Sequence, residues 1–313
     1  MNLQLKQKLI IVCGPTASGK TGLGIEIAKA VNGEIISADS MQIYKGIPIA
    51  TAQPTMEERE GIPHHLMGFL EVGTPFSVAE YCDLAHKTIE YVAKRGKTPI
   101  IVGGTGLYID SVSDDIKFSE CGNTEIRDTL KNRLDEVGAE VLFEELKGID
   151  PVAAEKIEPN NIRRIIRALE VYYSTGIPFS RHVELSKTEP SRYDSVRLFL
   201  NYKDREVLYD RINRRVDIML ESGLENEARE YMDKCADSGA GQAIGHKELY
   251  PYIKGEISLV EAIENLKRAT RRYAKRQITW FSKREDANLL LADKEDVLNK
   301  ALSIIEKGEM DNG

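Results

Sequence analysis

The chain has 313 residues, enough for one large domain or two smaller ones, and its apolar fraction of 42% permits a sizeable core. The net charge of −7 carries no global basic signal, so any contact with nucleic acid has to come from local patches. Cys13, Cys82, Cys121 and Cys235 are widely spaced with no C-x-x-C pair, which argues against a zinc site or a disulfide framework. No apolar run approaches membrane-spanning length and residues 1–8 are polar, so no membrane contact and a cytoplasmic setting are expected.

In chain order, residues 9–13 form a short apolar run that reads as a buried strand. Residues 14–21 follow as Gly14-Pro15-Thr16-Ala17-Ser18-Gly19-Lys20-Thr21, a full G-x-x-x-x-G-K-T phosphate loop. A helical pattern comes next, with Leu23, Ile27, Ala28 and Val31 on one face. Further strands are expected at 34–38, 99–102, 196–200 and 288–291, and a helix at 78–94. Strands alternating with helices imply an α/β fold with a parallel sheet covered on both faces. Residues 122–189 break the pattern with helical periodicity alone. The expectation is therefore a P-loop NTPase-like core, residues 1–121 plus 190–313, carrying a small inserted helical domain at 122–189.

The loop predicts a di- or triphosphate ligand. Its amides and the following helix N-terminus point at one place, the helix dipole adds positive charge, Lys20 adds a point charge, and the Thr21 hydroxyl is a candidate Mg²⁺ ligand. The second strand runs into Asp39-Ser40-Met41-Gln42. In open α/β sheets ligands sit beyond the carboxyl ends of strands, which delivers Asp39 beside the phosphate loop as a candidate general base. The next strand ends in Gly103-Gly104-Thr105, with no acidic metal residue of the kind a motor or switch NTPase places there. Basic residues cluster at Arg163, Arg164 and Arg167, at Arg211, Arg214 and Arg215, and between Lys267 and Arg284, a stretch with eight Lys or Arg and no Asp or Glu. Such clusters in an acidic chain fit either a polyanion or ordinary solvated faces.

These motifs resemble the tRNA dimethylallyltransferases, also called tRNA isopentenylpyrophosphate transferases. The matching segments are GPTASGKT (14–21), ISADSMQIYKG (36–46), VGGTGLY (102–108), NIRRIIRALEVY (161–172), RINRRVDIML (211–220), GQAIGHKE (241–248) and AKRQITWF (274–281), in family order across nearly the whole chain. The resemblance implies transfer of a dimethylallyl group from dimethylallyl diphosphate to N6 of the adenosine just 3′ of the anticodon in tRNA. It implies Asp39 as general base, Thr105 as a contact to the reacting groups, Arg215 as a diphosphate ligand and Mg²⁺ at Thr21. It places tRNA contacts at Asp39, Ser40, Met41, Gln42 and Thr105, and at Arg127, Arg163, Arg164, Ile165, Ile166 and Arg167. Further contacts are implied at Gly241, Gln242, Ala243, Ile244, Gly245 and His246, and at Lys275, Arg276, Gln277, Ile278, Thr279, Trp280, Phe281 and Ser282. The helical insertion then grips the anticodon arm. A monomer with no obligate protein partner is implied as well. Four positions depart from the family pattern: Ala50, Gln53, Gly68 and His246 stand where glycine, lysine, aspartate and tyrosine are usual. The residues alone leave two relatives of this reading open, a same-fold prenyltransferase acting on free AMP and a P-loop nucleotide kinase, beside a non-catalytic RNA-binding protein.

Overall fold

The structure is a computed structural model that describes residues 6–116, 118, 123–186, 190–235 and 239–310. Cys121, Gly122 and Glu189 lie outside the described residues. The chain forms two compact units, Met1–Ser113 with Arg192–Gly313, and Asp114–Ser191.

The first unit is built on a six-stranded sheet: β1 (Gln7–Cys13), β2 (Gly33–Ala38), β3 (His64–His65), β4 (Thr98–Gly103), β5 (Tyr193–Asn201) and β6 (Ala287–Leu291). The strand order is β3-β2-β4-β1-β5-β6 and every pairing is parallel. Inner strands of such a sheet are covered on both faces, which is why β1 carries the continuous apolar run 9–13 and every residue of β2, Glu34 and Ser37 included, is buried. Alternate residues of β1 go to opposite sides. Leu9, Ile11 and Cys13 join one core with Ile36, Ile101 and Phe199, and Ile10 and Val12 join the other with Ile35, Ile100 and Leu198. Helices α1 (Lys20–Ala30) and α2 (Val78–Lys94) connect the early strands, and α3 (Gly106–Ser113) follows β4. The start of α2 is set by a reciprocal Ser77–Glu80 capping box, and the helix covers the expected span.

The second unit is helical: α4 (Thr124–Val137), α5 (Ala139–Ile149), α6 (Pro151–Ala154), α7 (Ile162–Thr175) and α8 (Phe179–Leu185). It has its own core of Leu130, Leu142, Phe143, Leu146, Ile165 and Leu169. Asn123, Asp150 and Asn161 cap three of these helices by accepting from backbone N–H groups one turn on. After β5 the first unit resumes with α9 (Arg205–Glu221), α10 (Leu224–Cys235), a 3₁₀ turn at Gly239–Gln242, α11 (His246–Ile253), α12 (Leu259–Phe281) and, beyond β6, α13 (Val297–Met310). Among the described residues no helix is long and apolar enough to cross a membrane.

Register is what assembles the site. Ala38 pairs with Gly103 and Gly103 with Cys13, so β2, β4 and β1 end side by side. Whatever follows those three residues emerges at one edge of the sheet: Asp39, Gly104-Thr105 and the loop beginning at Gly14. The strands also crowd here, since a Cβ on Gly103 would lie 2.1 Å from the Ala38 carbonyl oxygen.

Candidate active site

The loop at 14–21 wraps the N-terminus of α1. A Cβ on Gly14 would fall 2.3 Å from the Leu200 carbonyl oxygen, so only glycine passes under β5. Gly19 caps α1 with φ of 93°, the left-handed region. Two long-range bonds brace the loop from outside. Gln277 Oε1 accepts from the Thr16 N–H at 2.9 Å, and Arg211 Nε donates to the Ala17 carbonyl at 2.9 Å. Lys20 Nζ donates to the Pro15 carbonyl at 3.3 Å. Burial of the ammonium, and then the nearby Arg215, push the Lys20 pKa down from 10.5 to about 8, against the opposing pull of Asp39. Burial likewise lowers Arg215, which feels Asp39 as its strongest attraction. Cys13, at the end of β1, is driven up to about 12 by burial and is an inert core thiol.

Asp39 opens a tight turn beyond β2. Its Oδ1 accepts from the Met41 N–H at 2.9 Å and, more weakly, from Gln42 N–H at 3.4 Å. Thr105 sits across from it: its N–H donates to the Ala38 carbonyl at 3.1 Å, and its Oγ1 accepts from the Ser40 N–H at 2.9 Å. The Thr105 hydroxyl also lies 3.3 Å from Ser40 Oγ. Gln277 Nε2 donates to the Gly104 carbonyl at 2.9 Å, so one buried amide ties the phosphate loop to the Thr105 turn. Tyrosines wall this corner. Tyr81 donates to the Ser37 carbonyl at 3.0 Å and stacks on Tyr108 with ring centroids 3.9 Å apart. Tyr273 bonds to Thr105, and burial followed by the Asp39 charge raises its phenol pKa. The arrangement sets a carboxylate and a hydroxyl facing a cationic, amide-lined loop, the equipment for moving a group off a diphosphate onto a nucleophile that must lose a proton.

The family model for IPP transferases matches residues 42–284. Over 279 residues the chain is 51% identical to the tRNA dimethylallyltransferase of Thermoanaerobacter sp. (strain X514), covering 88% of each protein. It is 49% identical over 278 residues to that of Bacillus subtilis (strain 168), again covering 88% of each. Among solved structures it resembles the tRNA isopentenylpyrophosphate transferase of Bacillus halodurans, at TM-score 0.73 and 42% identity over 98% of both chains. It also resembles a eukaryotic dimethylallyltransferase acting on tRNA, at TM-score 0.84 and 33% identity, over 98% of this chain and 80% of that one. The chain belongs to the IPP transferase family.

Within that family frame the other singled-out residues divide by exposure. On α12, Lys275, Arg276, Thr279 and Trp280 are exposed, as is Ser282 just beyond its end, while Gln277 and Phe281 are buried and Ile278 is half-buried. Lys275, Arg276, Thr279, Trp280, Lys283 and Arg284, with Asp110, line an open cleft of about 460 Å³. Trp280, 38% exposed, donates from Nε1 to Asp110 Oδ2 at 2.7 Å and covers Gly106, where a Cβ would lie 2.3 Å from the indole nitrogen. Gly241, Ala243, Gly245 and His246 are buried, Ile244 is half-buried, and the side chain of Gln242 is not described. His246 is 0% exposed and presents no surface to a macromolecule. Ser40, Met41 and Gln42 are half-buried. The Gln42 side chain is fully engaged: its Nε2 donates to the Thr51 and Ala52 carbonyls at 3.2 and 3.0 Å and its Oε1 accepts from Ser37.

In the helical unit Arg163 and Arg164 are exposed, and Ile165 and Ile166 face inward. Arg127 and Arg167 both bond to Glu170, at 2.9 and 3.1 Å. Glu170 itself is 0% exposed and also accepts from the Asn123 N–H. The departures from the family pattern cluster as well. Gln53 donates to the Gln42 and Tyr44 carbonyls at 3.1 and 2.9 Å, and a Cβ on Gly68 would lie 3.3 Å from Gln53 Oε1. Ala50 packs at Gly245, next to His246. Arg211, Gln277 as a brace and Tyr273 were not assigned to the site from sequence. The one available signal was Arg211 lying four residues before Arg215 on the same helix face.

Proposed function

We propose that this IPP transferase moves a dimethylallyl group from dimethylallyl diphosphate to N6 of an adenosine adjacent to the anticodon of a tRNA, releasing diphosphate. The observation that carries the reading is the shared sheet edge, where Asp39 and Thr105 stand beside the loop holding Lys20, with Arg215 near enough to shift its pKa. The relatives' activity on tRNA supports the acceptor. The adenine amine is a weak nucleophile because its lone pair is delocalised into the ring. As N6 bonds to C1, the C1–O bond breaks and the electron pair leaves on diphosphate. Loop amides, Lys20 and Arg215 stabilise that charge, and Asp39 takes the N6 proton. The adenosine must leave its stack to reach this corner, which favours a single-stranded loop.

Mg²⁺ fits the donor set. Ser18 Oγ is buried without a hydrogen-bond partner among the described residues, and the half-exposed Thr21 stands in the first turn of α1. Among the described residues no group of His, Cys, Asp or Glu would hold the ion alone, so Thr21 and the diphosphate oxygens would share it with water. When bound, the ion neutralises diphosphate charge. Arg163, Arg164 and the exposed cations of α12 are assigned to tRNA phosphates, and the enzyme to the cytoplasm. The test is incubation with labelled dimethylallyl diphosphate and unmodified tRNA, with AMP in parallel. Label should enter tRNA and not AMP. Asp39→Asn should lower the single-turnover rate by about 10²–10⁴ while prenyl diphosphate still binds; a full-rate Asp39→Asn enzyme removes Asp39 from the mechanism.

A further inference from the structure

Glu227, on α10, is 8% exposed, and its carboxylate collects three donors from two other segments. Oε2 accepts from the Ile49 N–H at 2.8 Å. Oε1 accepts from the Ala50 N–H at 2.9 Å and from His246 Nε2 at 2.8 Å. Because a carboxylate only accepts, His246 Nε2 carries a proton and donates it to Oε1. His246 Nδ1 is then buried without a hydrogen-bond partner among the described residues. An apolar side chain at 246 would avoid that cost, so the imidazole is retained for what its other nitrogen does.

The segment that Glu227 holds leads to the site. Residues 47–53 belong to no regular helix or strand. Their carbonyls at Thr51 and Ala52 accept from Gln42 Nε2, and Gln53 Nε2 returns to the Gln42 carbonyl. The Gln42 N–H in turn donates to Asp39 Oδ1. A path of hydrogen bonds joined by short stretches of backbone therefore runs from the buried pair to the carboxylate; apart from it, 47–53 is held by its own turn bonds, such as Thr51 N–H to the Ile47 carbonyl and Gln53 N–H to the Pro48 carbonyl. Ala50 and His246, two of the departures from the family pattern, lie at its start, and Gln53 and Gly68 lie along it.

We propose that Glu227 and His246 are positioning residues: they clamp 47–53 and through Gln42 fix the direction of the Asp39 carboxylate. This rests on Asp39 being the base. The pair touches neither the phosphate loop nor its braces, so rate and diphosphate affinity should separate.

The experiment compares the full-length enzyme with His246→Leu, His246→Gln and Glu227→Gln. Glutamine at 246 keeps an N–H donor near the Nε2 position and leucine keeps only bulk. Single-turnover transfer to tRNA, equilibrium binding of dimethylallyl diphosphate and amide hydrogen exchange over 47–53 are measured well below each melting temperature. His246→Leu should slow transfer about tenfold or more, as misorientation of a reacting group does. It should leave diphosphate affinity within about twofold and speed exchange at Ile49 and Ala50. His246→Gln should restore most of the rate and the protection. Glu227→Gln, which puts an NH₂ against N–H donors, should behave like His246→Leu. The proposal is overturned if leucine and glutamine at 246 are equally slow, if rate and diphosphate affinity fall together, or if the 47–53 amides stay protected in His246→Leu. That last result strikes the clamp whatever Asp39→Asn does, whereas a full-rate Asp39→Asn strikes only the base assignment on which the clamp's purpose depends.

Discussion

Lys20 should set the alkaline limit of this enzyme. In the free protein its ammonium is buried beside Arg215 and loses its proton near pH 8. In the proposed reaction the diphosphate seats on residues 14–21 and needs that ammonium charged. Because kcat/KM reports the free enzyme, kcat/KM for the prenyl diphosphate should be level below about pH 8 and fall about tenfold per unit above it, to about a tenth at pH 9. Bound diphosphate raises the Lys20 pKa, so kcat should stay level further into alkali. Stability should move the other way. The folded pKa lies below the ordinary 10.5, so the unfolded chain binds this proton more tightly, and the ligand-free protein gains stability from Lys20 as pH rises from about 8 to 10.5. Loss of substrate capture without loss of melting temperature separates this titration from alkaline unfolding. Initial rates at low and saturating prenyl diphosphate, with parallel thermal melts, supply both curves. Lys20→Arg should abolish the inflection, since guanidinium does not deprotonate, and Arg215→Gln should shift it upward by removing the neighbouring cation that depresses it. A kcat/KM that stays flat through pH 9, or an inflection unmoved in Arg215→Gln, would refute the reasoning.

Gln277→Leu should strip partners from the Thr16 N–H and the Gly104 carbonyl at once, costing about 2–4 kcal/mol of stability and weakening prenyl diphosphate binding, as read by melts and titration. Glu170→Gln should destabilise the protein by only about 1–2 kcal/mol, because Arg127 and Arg167 are each nearly half exposed to water; filter binding should show tRNA affinity undiminished once both arginines lose their carboxylate. Reversing Lys275, Arg276 and Lys283 to glutamate should weaken tRNA binding for every sequence alike and reduce its salt dependence, each lost phosphate contact removing about 0.7–0.9 from the log–log slope, with prenyl diphosphate affinity unchanged.

What the sequence reveals here is what is contiguous in the chain. The strands at 9–13, 34–38, 99–102 and 196–200 are legible because inner parallel strands are covered on both faces and bury short apolar runs, and the edge strand at 288–291 is legible from its short run of leucines. β3 is not: two histidines carry no periodicity, and they are a strand only because Ile35 and Ile36 present a free edge to them. The phosphate loop, Asp39 and Thr105 are readable because each is the residue run that follows a strand. Their braces are not. Gln277 reaches Thr16 across 261 positions and Arg211 reaches Ala17 across 194, and nothing local marks either pairing. In the stretch 161–172 the helical period separates buried Ile165 and Ile166 from exposed Arg163 and Arg164, yet it gives no hint that Glu170 turns inward to meet Arg127.

The two ways this chain holds its arginines and lysines differ in consequence. In the helical unit Arg127 and Arg167 are answered by a carboxylate, which cancels charge as it fixes geometry. At the phosphate loop Lys20 and Arg211 are answered by the backbone carbonyls of Pro15 and Ala17, which orient the cations and leave their net charge in place. Around Lys20 the packed loop keeps water from screening that charge, which strengthens its pull on an anion while making its proton harder to hold. Among the described residues Asp39 is the single carboxylate that favours the charged forms of both Lys20 and Arg215. In the proposed reaction it is also the group that gains a proton. Its negative charge is then removed from beside the two cations as the leaving diphosphate takes up charge, so proton transfer at one end of the site increases the positive field at the other. A neutral residue at 39 would lose that coupling along with the base, which is the physical reason to expect the defect of Asp39→Asn in the rate of transfer and not in the binding of the diphosphate.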